Sequence, residues 1–178
     1  VDLNECASGK TKNEKKKLPY SGNDECTWFS DNKRIADVNK GVVTANHVGT
    51  TTIHANNLTC EVVVKPRYTS FTEPYLEFGS SKSEVKSQMS GYTLKSEDNT
   101  MLTYYGKWYV DNYAYQFKYG ALEMSAFYTE LSCSLSLSDF LLERYLVFDS
   151  ENRSTERIYS LVNPDLNMFI QFRVGTYG

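Results

Sequence analysis

The stretch CTWFSDNKRIADVNKGVVTANHVGTTTIHANNLTCEVVV, residues 26–64, decides how the chain reads. Its apolar residues come in short runs separated by turn chemistry. Trp28 lies in the first run, and Ser30-Asp31-Asn32 breaks it, because these side chains bond to nearby backbone and favour turns. Ile35, Ala36 and Val38 form the next run. Asn39-Lys40-Gly41 then signals a tight hairpin that returns through residues 42–45, since Gly accepts positive φ without steric cost. After Gly49 come two β-branched runs, Thr50-Thr51-Thr52-Ile53 and Glu61-Val62-Val63-Val64. Short strands with regular turns predict an all-β sandwich. Lys65-Pro66-Arg67 closes it, because proline cannot donate to a central ladder, and a domain boundary is expected near residues 65–73.

The same residues carry a resemblance. The pattern W-x-S-D-x-x-x-I-A-x-V-x-x-G-x-V-T-A, then G-T-T-x-I-x-A, then C-x-V-x-V, resembles the bacterial immunoglobulin-like domain of group 2. The resemblance implies a small surface-displayed immunoglobulin-like sandwich over residues 1–67, of the kind found in spacers and adhesins. It implies no catalytic residue. It also implies export, with a lipidated cysteine upstream as the only membrane anchor. The chain opens on Val1 rather than Met, so a mature or trimmed form is the expectation.

The 178 residues accommodate one or two domains. Hydrophobic residues make up 40% and charged residues 23%, which is the balance of a folded protein. A net charge of −3 gives no basic face for a nucleic acid. Lys10, Lys12, Lys15, Lys16 and Lys17 crowd the N-terminal end, as expected for a solvated loop or a guarded edge strand. No apolar run approaches the roughly 18 residues of a membrane span. Of the four cysteines, Cys133 reads as a buried free thiol. Cys26 and Cys60 flank the sandwich and are the first candidates for a disulfide, with Cys6 to either as the alternative.

Residues 68–178 differ in composition and hold most of the 14 tyrosines. Residues 83–90 predict a short helix capped by Ser83, with Val85 and Met89 on one face. Residues 138–145 predict a second, capped by Ser138. Sliding residues 76–123 onto 131–178, a shift of 55, gives nine identities in 48 pairs, ending each copy on Q-F-[KR]-x-G. An internal duplication follows, each copy reading strand, helix and about three strands. The expected architecture is α+β: one antiparallel sheet with two short helices on one face. Its element order is similar to that of the β-lactamase-inhibitor-protein fold and, more loosely, the TATA-binding-protein fold, which carries no function.

Alternation assigns the faces. Tyr113, Tyr115, Phe117 and Tyr119, with Met168, Ile170, Phe172 and Val174, are expected in the core. Asn112, Gln116, Lys118, Asn167, Gln171 and Arg173 are expected outward, giving a platform for a ligand. Tyr105, Trp108 and Tyr109 lie off the strand pattern near Gly106 and are candidates for exposed binding aromatics, since each ring offers apolar area with a polar handle.

Chemistry-bearing motifs are missing. His47 and His54 have no second ligand or nucleophile at motif spacing. Asp31, Asp37 and Asn39 fail the calcium-loop spacing and read as turn residues. Glu97-Asp98-Asn99 and Asp149-Ser150-Glu151-Asn152 read as hairpin tips. No nucleophile elbow, phosphate loop or Cys/His cluster occurs, so no cofactor and no metal are expected. The expectation is a non-enzymatic, extracytoplasmic bacterial surface or periplasmic protein, an immunoglobulin-like spacer presenting a module that binds a protein or a glycan. A structural part of an envelope complex is the alternative, and a hydrolase the third.

Overall fold

The computed structural model describes residues 2–4, 14–19 and 26–175; Cys6, Lys10 and Lys12 lie outside them. The protein is mostly β, with several antiparallel sheets and two short helices. It divides into two compact units, residues 1–69 with 136–178, and residues 70–135.

The first unit opens with β1 (Asp2–Asn4), β2 (Lys15–Lys17), β3 (Trp28–Ser30), β4 (Ala36–Asn39), β5 (Val42–Ala45), β6 (Gly49–Ala55) and β7 (Leu58–Lys65). They make a four-stranded sheet, β1-β7-β6-β3, and a three-stranded sheet, β2-β5-β4, in a sandwich-like pair. One core joins them, including Ile35, Val38, Val43, Ile53, Val62 and Val64, with Trp28 and Cys60 packed against it. Burying each such side chain contributes on the order of 1.5–3 kcal/mol. The β4–β5 hairpin turns at Lys40 (φ 47) and Gly41 (φ 74). Two successive left-handed residues match the twist of the flanking strands, which is why Asn-Lys-Gly stands there.

Cys26 and Cys60 are both free thiols, half-buried, and the expected bridge between them is absent. Register gives the reason. Cys60 pairs with Ile53, which pairs with Ser30, four residues beyond Cys26. That offset is roughly 13 Å along the strand, whereas a disulfide needs Cα atoms within about 7 Å. Cys133 is also half-buried and free.

The second unit holds α1 (Lys82–Gln88), β8 (Leu94–Glu97), β9 (Met101–Tyr105), β10 (Asn112–Lys118) and β11 (Ala121–Tyr128), the strands in the order β11-β10-β9-β8. A 3-10 turn (Leu131–Cys133) leads into α2 (Ser134–Leu142). The first unit then resumes with β12 (Leu146–Asn152), β13 (Glu156–Val162) and β14 (Phe169–Gly175), a separate three-stranded meander. The two C-terminal meanders are therefore distinct sheets, not the single sheet expected.

Both helix starts differ from expectation. Ser81, not Ser83, caps α1: its side chain accepts from the Glu84 N–H while the Glu84 carboxylate accepts from the Ser81 N–H. Only Ser81 has a glutamate three residues on, as a capping box requires. Ser138 lies inside α2 rather than before it, among buried Leu137, Phe140 and Leu141. Val85 and Met89 are buried on one face of α1 and at its end. Asp149 to Asn152 belong to β12, so the hairpin tip is Arg153 to Thr155 instead.

Glu143 ties residues 136–178 to 1–69 within the first unit. Its carboxylate, wholly buried, accepts from the backbone N–H groups of Arg67 (2.9 Å) and Tyr68 (3.1 Å) and pairs with Arg144. Arg144 also donates to the carbonyls of Phe140 and Tyr68 and lies over the Phe140 ring. The Glu143 carbonyl accepts from the Val48 N–H at 2.8 Å. A buried charge persists only when its hydrogen-bonding capacity is filled in this way.

Candidate binding face

Alternation in β9, β10 and β11 splits the second unit's sheet into two faces. Tyr104, Tyr113, Tyr115, Phe117 and Leu102 point to one side and are buried. The Tyr115 hydroxyl donates to the Met89 sulfur (3.1 Å) and accepts from the Tyr75 N–H (3.2 Å); the Tyr113 hydroxyl donates to the Thr72 carbonyl (3.0 Å). Helix α1 and the segment after Ser70 thus cover this side. Burial raises the hydroxyl pKa of Tyr104 and Tyr113, and that of Tyr115 to about 12. Tyr119, expected with them, is 99% exposed. It forms a two-residue turn with Gly120, at φ 53 and 82, which takes it out of the alternation.

The opposite face is left open within the unit. Tyr105, Asn112 and Tyr128 sit side by side in one row. The next row is Thr103, Ala114 and Ala126, all small. Met101, Gln116 and Met124 make the third. A floor of small side chains therefore runs between a tyrosine row and a methionine row. Lys95, at the β8 bulge, bonds Asn112 Oδ1 (2.9 Å) and holds its ammonium 5.4 Å from the Tyr105 ring centroid.

The connection between β9 and β10, residues 106–111, follows Tyr105, and its Lys107 and Tyr109 pack toward the covered side, against Tyr92 and Phe71, both of which lead to Tyr113. Gly106 donates to the Asp111 carbonyl and Val110 to the Lys107 carbonyl. Gly106 is required because a Cβ there would lie 2.0 Å from the Val110 oxygen. At the tip Trp108 is 94% exposed and has φ 59. Tyr109 beside it is half exposed, tilted against Phe71. Lys107 donates to the Gly91 carbonyl (2.7 Å) and lies over the Tyr92 ring (4.5 Å).

The residues singled out from sequence separate between the units. Tyr105, Trp108, Tyr109 and Gln116 share the open face or its loop, with Lys118 at the end of β10 beside Glu123. Gln171 and Arg173 are exposed on β14, in the other unit and another sheet. Ile170, Phe172 and Val174 alternate with them, half-buried. Asn112 lies on the outward face as expected; Tyr128 and Lys95 were not singled out, and only strand register reveals them as neighbours of Tyr105 and Asn112.

Other polar residues are locally satisfied. His54 stacks on Phe29 and pairs with Asp31 at 2.8 Å. His47 bonds the Arg34 carbonyl, and burial holds its pKa below the ordinary histidine value. Asp98 accepts from Thr100 and Met101 in the β8–β9 turn, which lowers its pKa. Among the described residues no group of three His, Cys, Asp or Glu could hold a metal ion, and no helix is long and apolar enough to cross a membrane. No family model, characterised protein or solved structure matches this chain.

Proposed function

We propose that the protein is a non-enzymatic binding protein, and that the open face of the second unit with the loop 106–111 holds its ligand, a protein or a glycan. Trp108 carries the reading. Its indole stands in water at the tip of a six-residue connection, in the left-handed region that a bulky residue seldom adopts; Tyr119 shares both features, but in a two-residue hairpin turn that demands that φ. Both features cost stability, and local strain concentrates at ligand sites. Tyr105 and Tyr128 add flat rings, while Lys95, Asn112 and Gln116 supply the hydrogen-bonding groups that orient a ligand. The sandwich-like strands of residues 1–67 act as a spacer of the bacterial immunoglobulin-like type, and the protein works outside the cytoplasm, at the cell surface or in the periplasm; the sequence resemblance supports both.

The test is a paired screen of the full chain and a Tyr105→Ala/Trp108→Ala variant against glycans and surface proteins. The expected result is at least one saturable ligand, lost in the variant while the melting temperature is kept. A ligand bound equally by both would place the site elsewhere.

A further inference from the structure

The β13–β14 ladder is unbroken from Glu156↔Gly175 to Val162↔Phe169. The N–H of Asn163 donates to the Met168 carbonyl at 3.1 Å. Bonded and non-bonded pairs alternate in an antiparallel ladder, so Ile170, Phe172 and Val174 bond to β13. The N–H and C=O groups of Phe169, Gln171 and Arg173 then point away from it. In the second unit the corresponding positions on β10 are Asn112, Ala114 and Gln116, and β11 pairs with all three. On β14, among the described residues, no strand does.

Sheet edges are usually guarded by bulges, charge or proline. The edges β8 and β12 both carry a bulge and acidic residues, and β11 pairs through a register shift beside Glu123. Strand β14, FIQFRVG, has no bulge or proline, and its one charge, Arg173, is matched within its own sheet by Glu156 at 3.9 Å. It leaves Phe169 74% exposed, edge-to-face with exposed Phe148 at 6.0 Å.

We infer that β14 is a docking edge for a second copy of this chain, the two strands pairing antiparallel about Gln171. The sequence is self-complementary in that register. Phe169 falls opposite Arg173 of the second copy, an aromatic against a guanidinium, and Ile170 opposite Phe172. Gln171 meets its own counterpart on the two-fold axis, as an isologous interface requires. The outward backbone groups of Phe169, Gln171 and Arg173 pair with those of the same three residues. This dimer is independent of the ligand site in the second unit.

Sedimentation velocity over a concentration series up to about 100 µM tests it on four proteins. The wild type is expected to show a concentration-dependent dimer. Gln171→Lys and Gln171→Glu, each placing like charges on the axis, should weaken it by about tenfold or more, and mixing the two should restore it. Ser150→Lys, on the exposed opposite edge strand β12, should leave it intact. A wild type that stays monomeric, a mixture that does not reassociate, or equal loss in Ser150→Lys would overturn the inference.

Discussion

Glu143 shows how much one side chain can hold. It is buried without any exposure, and its partners are Arg144 and two backbone N–H groups of the segment leaving β7. Glu143→Ala strands the guanidinium and both donors, and the expected loss is about 3–5 kcal/mol in urea unfolding. Trp108 should behave in the opposite sense. Glycine accepts φ 59 freely, so Trp108→Gly is expected to keep or raise stability, by up to about 1 kcal/mol, while abolishing binding. The tyrosines of the second unit set an alkaline limit. Their pKa values are raised in the fold, to about 12 for Tyr115, so the folded state keeps protons that the unfolded chain releases from about pH 10 upward. Their contribution is whole below pH 10 and is lost between about pH 10 and 12, which a pH series of thermal melts should show. The exposure of Trp108 was legible from its place off the strand pattern beside Gly106, but its left-handed φ was not, and the buried glutamate has no signature at all: Glu143 stands in an ordinary Glu-Arg pair, and its partners Arg67 and Tyr68 are 75 or more residues away.

At the scale of elements, local chemistry was legible where a turn or cap needs particular residues. The Asn-Lys-Gly hairpin and the strands on either side of it read directly, because glycine supplies the left-handed φ that a two-residue turn needs. The helix caps read less well. Ser81 and Ser83 both satisfy a serine rule, and only Glu84 distinguishes them. Ser81→Ala should therefore cost about 1 kcal/mol and Ser83→Ala much less, measured by thermal melts of the two variants. The two meanders share an element order, but not the register of the shift of 55. Each meander has a bulge against its first strand and a six-residue connection before its third, residues 106–111 and 163–168. Asn112 thus corresponds to Phe169, 57 positions on, rather than the 55 that aligns Q-F-[KR]-x-G. A slip of two keeps every side chain on its face, so the alternation of β10 and β14 read correctly although the pairing did not.

At the scale of the molecule, the chain's order hides its grouping. The last meander belongs with the N-terminal strands, through Glu143 and through Asn32, whose amide bonds the Pro164 carbonyl and Asp165. Such long-range polar contacts leave no periodic trace, and the single platform expected across Gln116, Lys118, Gln171 and Arg173 gives way to two separate sheets. The proposed binding role then rests on the second unit alone. The chain has two tryptophans, and Trp28 packs against the sandwich core. In a Trp28→Phe variant, emission reports on Trp108 only. Titrating that variant with a ligand from the screen should shift the emission to the blue and protect it from acrylamide in step with binding. Saturable binding that leaves Trp108 emission and quenching unchanged would contradict the site.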